Sequence, residues 1–151
     1  MNICIVEKDI SEIDLIKPLW EQLNTLHNDK SVFFKSEYEN FTFENRLESI
    51  YKKAQEGIIK VDLLLDKKTG NHIGYCLSSI RDNLGEIESI FIEKEYRKLK
   101  LGDKLMKNTL DWFKSYSIKN IQINVAYAND EALPFYERYG FRVRGYILKR
   151  K

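Results

Sequence analysis

At 151 residues the chain has the length of one domain, residues 1–151, and its 25 Lys or Arg against 23 Asp or Glu leave a net charge of +2. A hydrophobic content of 43% with 13% aromatics excludes a disordered chain and supports a core that needs no staple. Charges of both signs are spread along the sequence, so nucleic acid is not the expected partner; MNICIVEKD turns charged too early for a signal or membrane segment, and a soluble cytoplasmic protein is expected.

Asn2 to Val6 reads as a first strand. Ser11 followed by Asp14 resembles a capping box, and Ile13, Ile16, Trp20, Leu23 and His27 continue at helical spacing, with Pro18 kinking or restarting the helix. His27, at the end of that run, is read as a solvated polar residue rather than a catalytic one. Lys30 to Phe41 has no clear period but holds Phe33, Phe34, Tyr38 and Phe41. Core packing is the first reading of these aromatics, and the wall of a substrate pocket or a lid is the second. Thr42 then caps a helix with Phe43, Leu47, Ile50, Tyr51 and Ala54 on one face, and Gly57 is expected to end it in the left-handed conformation.

An antiparallel series follows: Ile58 to Asp66, a turn at Lys67–Gly70, Asn71 to Arg81, a turn at Asp82–Gly85, and then Gly85 to Ile92. Cys4 and Cys76 fall in strands and read as buried thiols, not as a disulfide or metal pair, and no metal is expected. The stretch from Gly85 to Met106 is the most informative. A mostly apolar strand feeds a loop with Lys94, Arg97, Lys98 and Lys100, which opens onto a helix marked by Leu105, Met106, Thr109, Phe113 and Tyr116. Gly102 lies in its first turn. Free amides at a helix start, the helix dipole and a glycine make an anion site suited to phosphate; an ordinary solvated basic loop is the other reading. Neither G-x-x-x-x-G-K-[ST] nor G-x-G-x-x-G is present, which argues against an ATPase or a dehydrogenase.

Ile121, Ile123 and Val125 alternate with Gln122, Asn124 and Ala126 as the next strand, parallel to Gly85–Ile92, so the anion loop lies at a carboxyl end where open α/β sheets bind ligands. In NDEALPFYERYGF, Asn129 is a candidate N-cap and Gly140 a helix stop. Pro134 requires either a distorted first turn or a helix that starts there. Phe141 to Arg150 reads as a last strand.

These segments resemble the GNAT superfamily of acyl-CoA-dependent N-acetyltransferases. Arg97, Leu101 and Gly102 match its R-x-x-G-x-G helix opening, with Lys100 in place of the first glycine. Asn129, Ala132, Phe135, Tyr136, Gly140 and Phe141 match its N-x-x-A-x-x-F-Y-x-x-x-G-F segment. The resemblance implies a mixed, mostly antiparallel α/β sheet with a parallel strand–helix–strand unit and flanking helices. It implies acetyl-CoA as co-substrate, with Ile90, Phe91, Ile92 and Asn129 along the pantetheine arm. Arg97, Lys98, Leu99, Lys100, Leu101, Gly102 and Asp103 would surround the pyrophosphate, and Tyr136 would lie at the thioester, where the family places the acid for the departing thiolate.

The chemistry requires a base as well, because a lysine-like amine of pKa about 10.4 is only about 0.04% neutral at pH 7. Glu86 and Glu88 share a strand face if no bulge intervenes, and either a catalytic or a solvent-facing role is open to them. The expected function is acetyl transfer from acetyl-CoA to a primary amine by direct attack, on a small-molecule or peptide acceptor, with a homodimer as the candidate assembly. A CoA-binding regulatory domain without catalysis is the alternative.

Overall fold

The computed structural model describes residues 2–151. In chain order the elements are β1 (Ile3–Lys8), a 3₁₀ segment (Ile10–Ile16), α1 (Lys17–Lys30), α2 (Lys35–Glu39), α3 (Phe43–Glu56), β2 (Gly57–Asp66), β3 (Asn71–Arg81), β4 (Leu84–Ile92), α4 (Leu101–Ser115), β5 (Asn120–Ile123) and α5 (Leu133–Glu137). The five strands lie in sequence order in one sheet, antiparallel from β1 to β4 and parallel between β4 and β5. None of the helices among the described residues is long and apolar enough to cross a membrane.

The sheet separates two cores. On one face Ile13, Ile16, Leu19 and Trp20, with Phe43 and Ile50 of α3, pack on Val61, Leu63, Tyr75, Leu77 and Phe91. On the other, Leu101, Leu105, Met106 and Phe113 of α4 cover Leu64, Ile73, Cys76, Ile80 and Ile87. Phe135, Tyr136 and Phe141 border this second core. Both cysteines are free, and the Cys76 thiol, bonded to Thr109 and Ser78, is pushed up to about 11 by burial.

Local punctuation explains most boundaries. Pro18 restarts the helix, since the 3₁₀ segment ends at Ile16 and α1 begins with proline in its first turn, where no amide is needed. Asp9, not Ser11, caps the 3₁₀ segment by accepting from the Ser11 amide at 2.9 Å. Thr42 caps α3 in a reciprocal box with Asn45. Gly57 is not left-handed: at φ −164° it is the first extended residue of β2. It is glycine because a Cβ there would lie 1.9 Å from the Ile80 carbonyl oxygen. Gly70 does supply the positive φ (78°) that its turn requires.

The last strand expected from Phe141 to Arg150 does not form. The Schellman pair of bonds, Phe141 amide to Tyr136 carbonyl and Gly140 amide to Glu137 carbonyl, with Gly140 at φ 90°, stops α5. Beyond it the chain leaves the sheet. Lys149 pairs with Glu37 and lies over the Phe34 ring of the segment leading into α2, and Tyr146, Ile147 and Leu148 stay exposed. A strand pattern needs a partner edge, and the tail runs to α2 instead of to β5.

Candidate active site

β4 has a strand neighbour on both sides for only part of its length. It pairs with β5 over four residues, from Leu84 opposite Asn120 to Ile87 opposite Ile123. Past that point the two strands part, while β3 accompanies β4 to Ile92. The result is a slot along Ile90, Phe91 and Ile92. Arg97 closes its far end: Nε donates to the Ile92 carbonyl at 2.8 Å and the guanidinium lies over the Phe91 ring.

The loop beyond the slot leaves a run of backbone amides without acceptors among the described residues. A 3₁₀ turn over Lys94–Tyr96 gives the Arg97 amide to the Lys94 carbonyl, and the Tyr96 hydroxyl pins the turn by donating to Asp66 at 2.8 Å. Lys98 and Lys100 then take left-handed conformations, at φ 64° and 62°. Each costs a residue with a Cβ roughly 1–2 kcal/mol, but such residues curl a loop so that successive amides converge. No side chain caps α4, whose first bond runs from the Lys104 amide to the Lys100 carbonyl. Among the described residues, the amides of Lys98, Leu99, Lys100, Leu101, Gly102 and Asp103 have no acceptor. They stand at the positive end of a 15-residue helix.

α5 closes the slot from the β5 side. The helix proper starts at Leu133 with Pro134 in its first turn, preceded by a 3₁₀ segment that is kinked at Asn129 (φ −101°, ψ 39°). Asn129 is therefore not an N-cap; its Oδ1 accepts from Lys30 Nζ at 3.3 Å. Phe135 presses on Gly102, where a Cβ would lie 3.1 Å from the ring. The Asp103 carboxylate ties α4 to α5 through Arg138 Nη2 at 2.9 Å and the Tyr139 hydroxyl. Tyr136 is half-buried against Phe135 and Phe141, and burial pushes its phenol up to about 12.

A bulge shapes the other face of β4. Leu77 pairs with Ser89 and Ser78 with Ile87, so Glu88 has no partner in β3. The extra residue turns Glu88 and Ser89 to the same face, that of α1 and α3. There the Glu88 carboxylate accepts from Lys53 Nζ at 2.7 Å, Ser79 Oγ at 2.6 Å and Arg46 Nη2 at 3.3 Å, and Arg46 also reaches the Glu88 carbonyl at 2.8 Å. Glu86 meets the same Lys53 at 3.2 Å and Asn124 at 3.5 Å. Beside this cluster is a cavity of about 150 Å³ lined by residues of α1, α2 and α3 together with Glu88 and Ser89. Trp20, His27, Tyr38 and Phe41 form its aromatic wall.

Comparison with known proteins decides the family. The family model described as "Acetyltransferase (GNAT) family" matches residues 20–141. The chain belongs to the GNAT acetyltransferase family. It is 26% identical over 112 residues, 74% of each chain, to a Bacillus subtilis (strain 168) protein named putative [ribosomal protein bS18]-alanine N-acetyltransferase. Solved structures of this fold align along nearly all of the chain. A putative acetyl transferase from Pyrococcus furiosus superposes with a TM-score of 0.75 at 23% identity, covering 99% of both chains. The PaiA N-acetyltransferase of Thermoplasma acidophilum, in complex with coenzyme A, does so with a TM-score of 0.71 at 19% identity, over 95% of this chain and 92% of that one.

Within this GNAT fold the residues singled out from the sequence for the cofactor fall in three places. Ile90, Phe91 and Ile92 line the slot, and Lys98 to Asp103 surround the α4 start. Asn129 and Tyr136 stand on the α5 side. Arg97 differs from expectation: its amide is already bonded, and its side chain acts as a clamp. Glu88 is neither solvent-facing nor free, because its side chain is 1% exposed and fully engaged by donors. Sequence reasoning missed Arg46, Lys53 and the position of His27. Arg46 and Lys53 stand seven residues apart on one side of α3, a spacing that was available, but nothing in the sequence points from α3 to a strand some forty residues later. His27, expected to be solvated, is half-buried in the cavity wall.

Proposed function

We propose that this acyltransferase moves an acetyl group from acetyl-CoA to a primary amine by direct attack. One observation supports the reading above the rest: the slot where β4 leaves β5 ends at six unpartnered amides of the α4 start, so an extended arm and a pyrophosphate have consecutive places. Acetyl-CoA, when bound, supplies an activated thioester; the chain supplies position and proton handling. The backbone of Ile90–Ile92 and Asn129 would line the arm, while Lys98 to Asp103 would hold the pyrophosphate, with the Lys98 and Lys100 ammonium groups beside it. Tyr136 keeps its proton at physiological pH and so can donate to the departing sulfur. The cavity on the opposite side, reaching Ser89, is the entry for the acceptor, and the aromatics of the α1–α3 connection wall it as well as pack.

The test is CoA binding by calorimetry together with thiol release from acetyl-CoA across a panel of peptide α-amines, lysine side chains, polyamines and aminoglycosides. Binding plus turnover of one class is expected. Binding without turnover of any amine would instead support a CoA-sensing regulatory domain, and no binding would end both readings.

A further inference from the structure

Direct attack needs a group that accepts a proton, and the two carboxylates of β4 are poorly disposed for it. Glu88 is saturated by Arg46, Lys53 and Ser79, and Glu86 is paired with Lys53. The acceptor cavity holds a different group. His27 lines it together with Ser89, its ring edge-on to Tyr38 at 5.8 Å between centroids. The ionisable groups facing it come from four elements. Lys30 of α1 is bonded to Glu131 and Asn129; Tyr38 of α2 has its phenol raised by burial and by Glu37. Arg46 of α3 and Glu88 of β4 neutralise each other. Among the described residues His27 alone in this cavity has a basic nitrogen without a hydrogen bond or a counter-charge.

Resting on the acetyltransferase reading above, we propose that His27 takes the proton of the acceptor nitrogen, and that the acceptor is a weakly basic amine of the peptide α-amino class rather than a lysine side chain. The balance is as follows. An ammonium group gives one proton to an imidazole nitrogen of His27, which passes it to solvent. The freed nitrogen lone pair forms the N–C bond to the acetyl carbon, and the C–S bond breaks. The second surplus proton on nitrogen is matched by the one that neutralises the departing thiolate, so amide and free thiol are the products.

The acceptor class follows from the match between donor and base. Burial, with Lys30 nearby, holds the His27 imidazole below its ordinary value near 6.5, so it is neutral at pH 7. An α-amino group, with a pKa near 7.7–8.0, lies close to such a base, whereas a lysine near 10.4 lies far above it. At pH 7 the neutral fractions of the two amines alone differ by a few hundred-fold. The cavity, about 150 Å³, is also below the roughly 300–1,000 Å³ of sites for drug-sized ligands, which suits one small residue.

The experiment compares wild type with His27→Gln and His27→Ala, using a peptide with a free α-amine and an acetylated-N-terminus peptide carrying one lysine. The expected wild-type preference in kcat/KM is a few hundred-fold for the α-amine. Wild-type kcat should fall with acid through a single step below pH 6.5. His27→Gln should lose that step and about 10²-fold or more in kcat, with acetyl-CoA affinity unchanged. Added imidazole should restore turnover to His27→Ala. Independently of activity, the chain has only two histidines, so the NMR titration missing in His27→Gln reports His27 directly and should coincide with the kinetic step. Equal turnover of the lysine peptide, or an unaltered pH profile in His27→Gln, overturns the inference while leaving the acetyltransferase reading intact. If neither variant folds, wild-type NMR and kinetic midpoints that disagree overturn it as well. No thiol release by wild type with any amine counts against the acetyltransferase reading itself.

Discussion

Tyr136 holds its proton tightly because burial pushes the phenol up to about 12. Handing that proton fully to a thiolate of pKa near 8.5 is uphill by about 5 kcal/mol. In the proposed mechanism its hydroxyl is therefore a hydrogen-bond donor that steadies the sulfur while charge develops, not a full proton donor. Tyr136→Phe keeps the ring contacts with Phe135 and Phe141, so CoA affinity should hardly move and kcat should fall about 10²-fold, the low end for a positioned proton donor. Steady-state kinetics beside calorimetry checks this, and a Phe variant with wild-type kcat removes the hydroxyl from the mechanism. Lys100 offers a different test at the same scale. Its left-handed backbone costs roughly 1–2 kcal/mol, against about 0.5–1 kcal/mol of chain entropy that a glycine adds. Lys100→Gly should thus raise the melting temperature by a degree or two. If the ammonium contacts a CoA phosphate, the same variant should bind CoA more weakly and with a flatter salt dependence. Tighter binding would mean that the side chain only hinders the loop.

Elements were legible wherever a local rule decided them. Pro18, Thr42, Gly70 and Gly140 act on their immediate neighbours, and each marks a boundary that the fold respects. The strand, basic loop and helix start from Leu84 to Ser115 were legible for the same reason, since they are contiguous in the chain. What escaped was anything set by a partner distant in sequence. Gly57 satisfies a helix-stop rule by its position, but its conformation is dictated by the Ile80 carbonyl across the sheet. The bulge at Glu88 is a register decision between two strands, and Phe141–Arg150 alternates like a strand without an edge to join. Two substitutions test the element-level account. Gly57→Ala should cost about 3 kcal/mol or more, the upper end of overpacking, because the obstructing atom is backbone; chemical denaturation measures it. Gly102→Val should push Phe135 away from α4 as well as crowd the amides, so weakened CoA binding should come with a melting temperature a few degrees lower. A loss of stability with CoA affinity intact would separate the α4–α5 contact from the anion site.

At the scale of the molecule, two cores on opposite faces of one sheet carry the fold, and the tail contributes little. Ile147 and Leu148 are each 93% exposed, so removing residues 143–151 should shift the melting temperature by less than about 2 °C. A larger drop would show that the tail packs somewhere in solution. The parting of β4 from β5 after Ile87 bears on time rather than strength. Along Ile90–Ile92 the two strands are already unpaired, so hydrogen bonds between strands need not break first. Entry should therefore not wait on the microsecond-to-millisecond motions that gate lidded enzymes. Stopped-flow mixing with CoA should give a single exponential whose rate rises linearly with concentration. A plateau would reveal a hidden opening step, and the clock of the enzyme would then be set by the sheet itself.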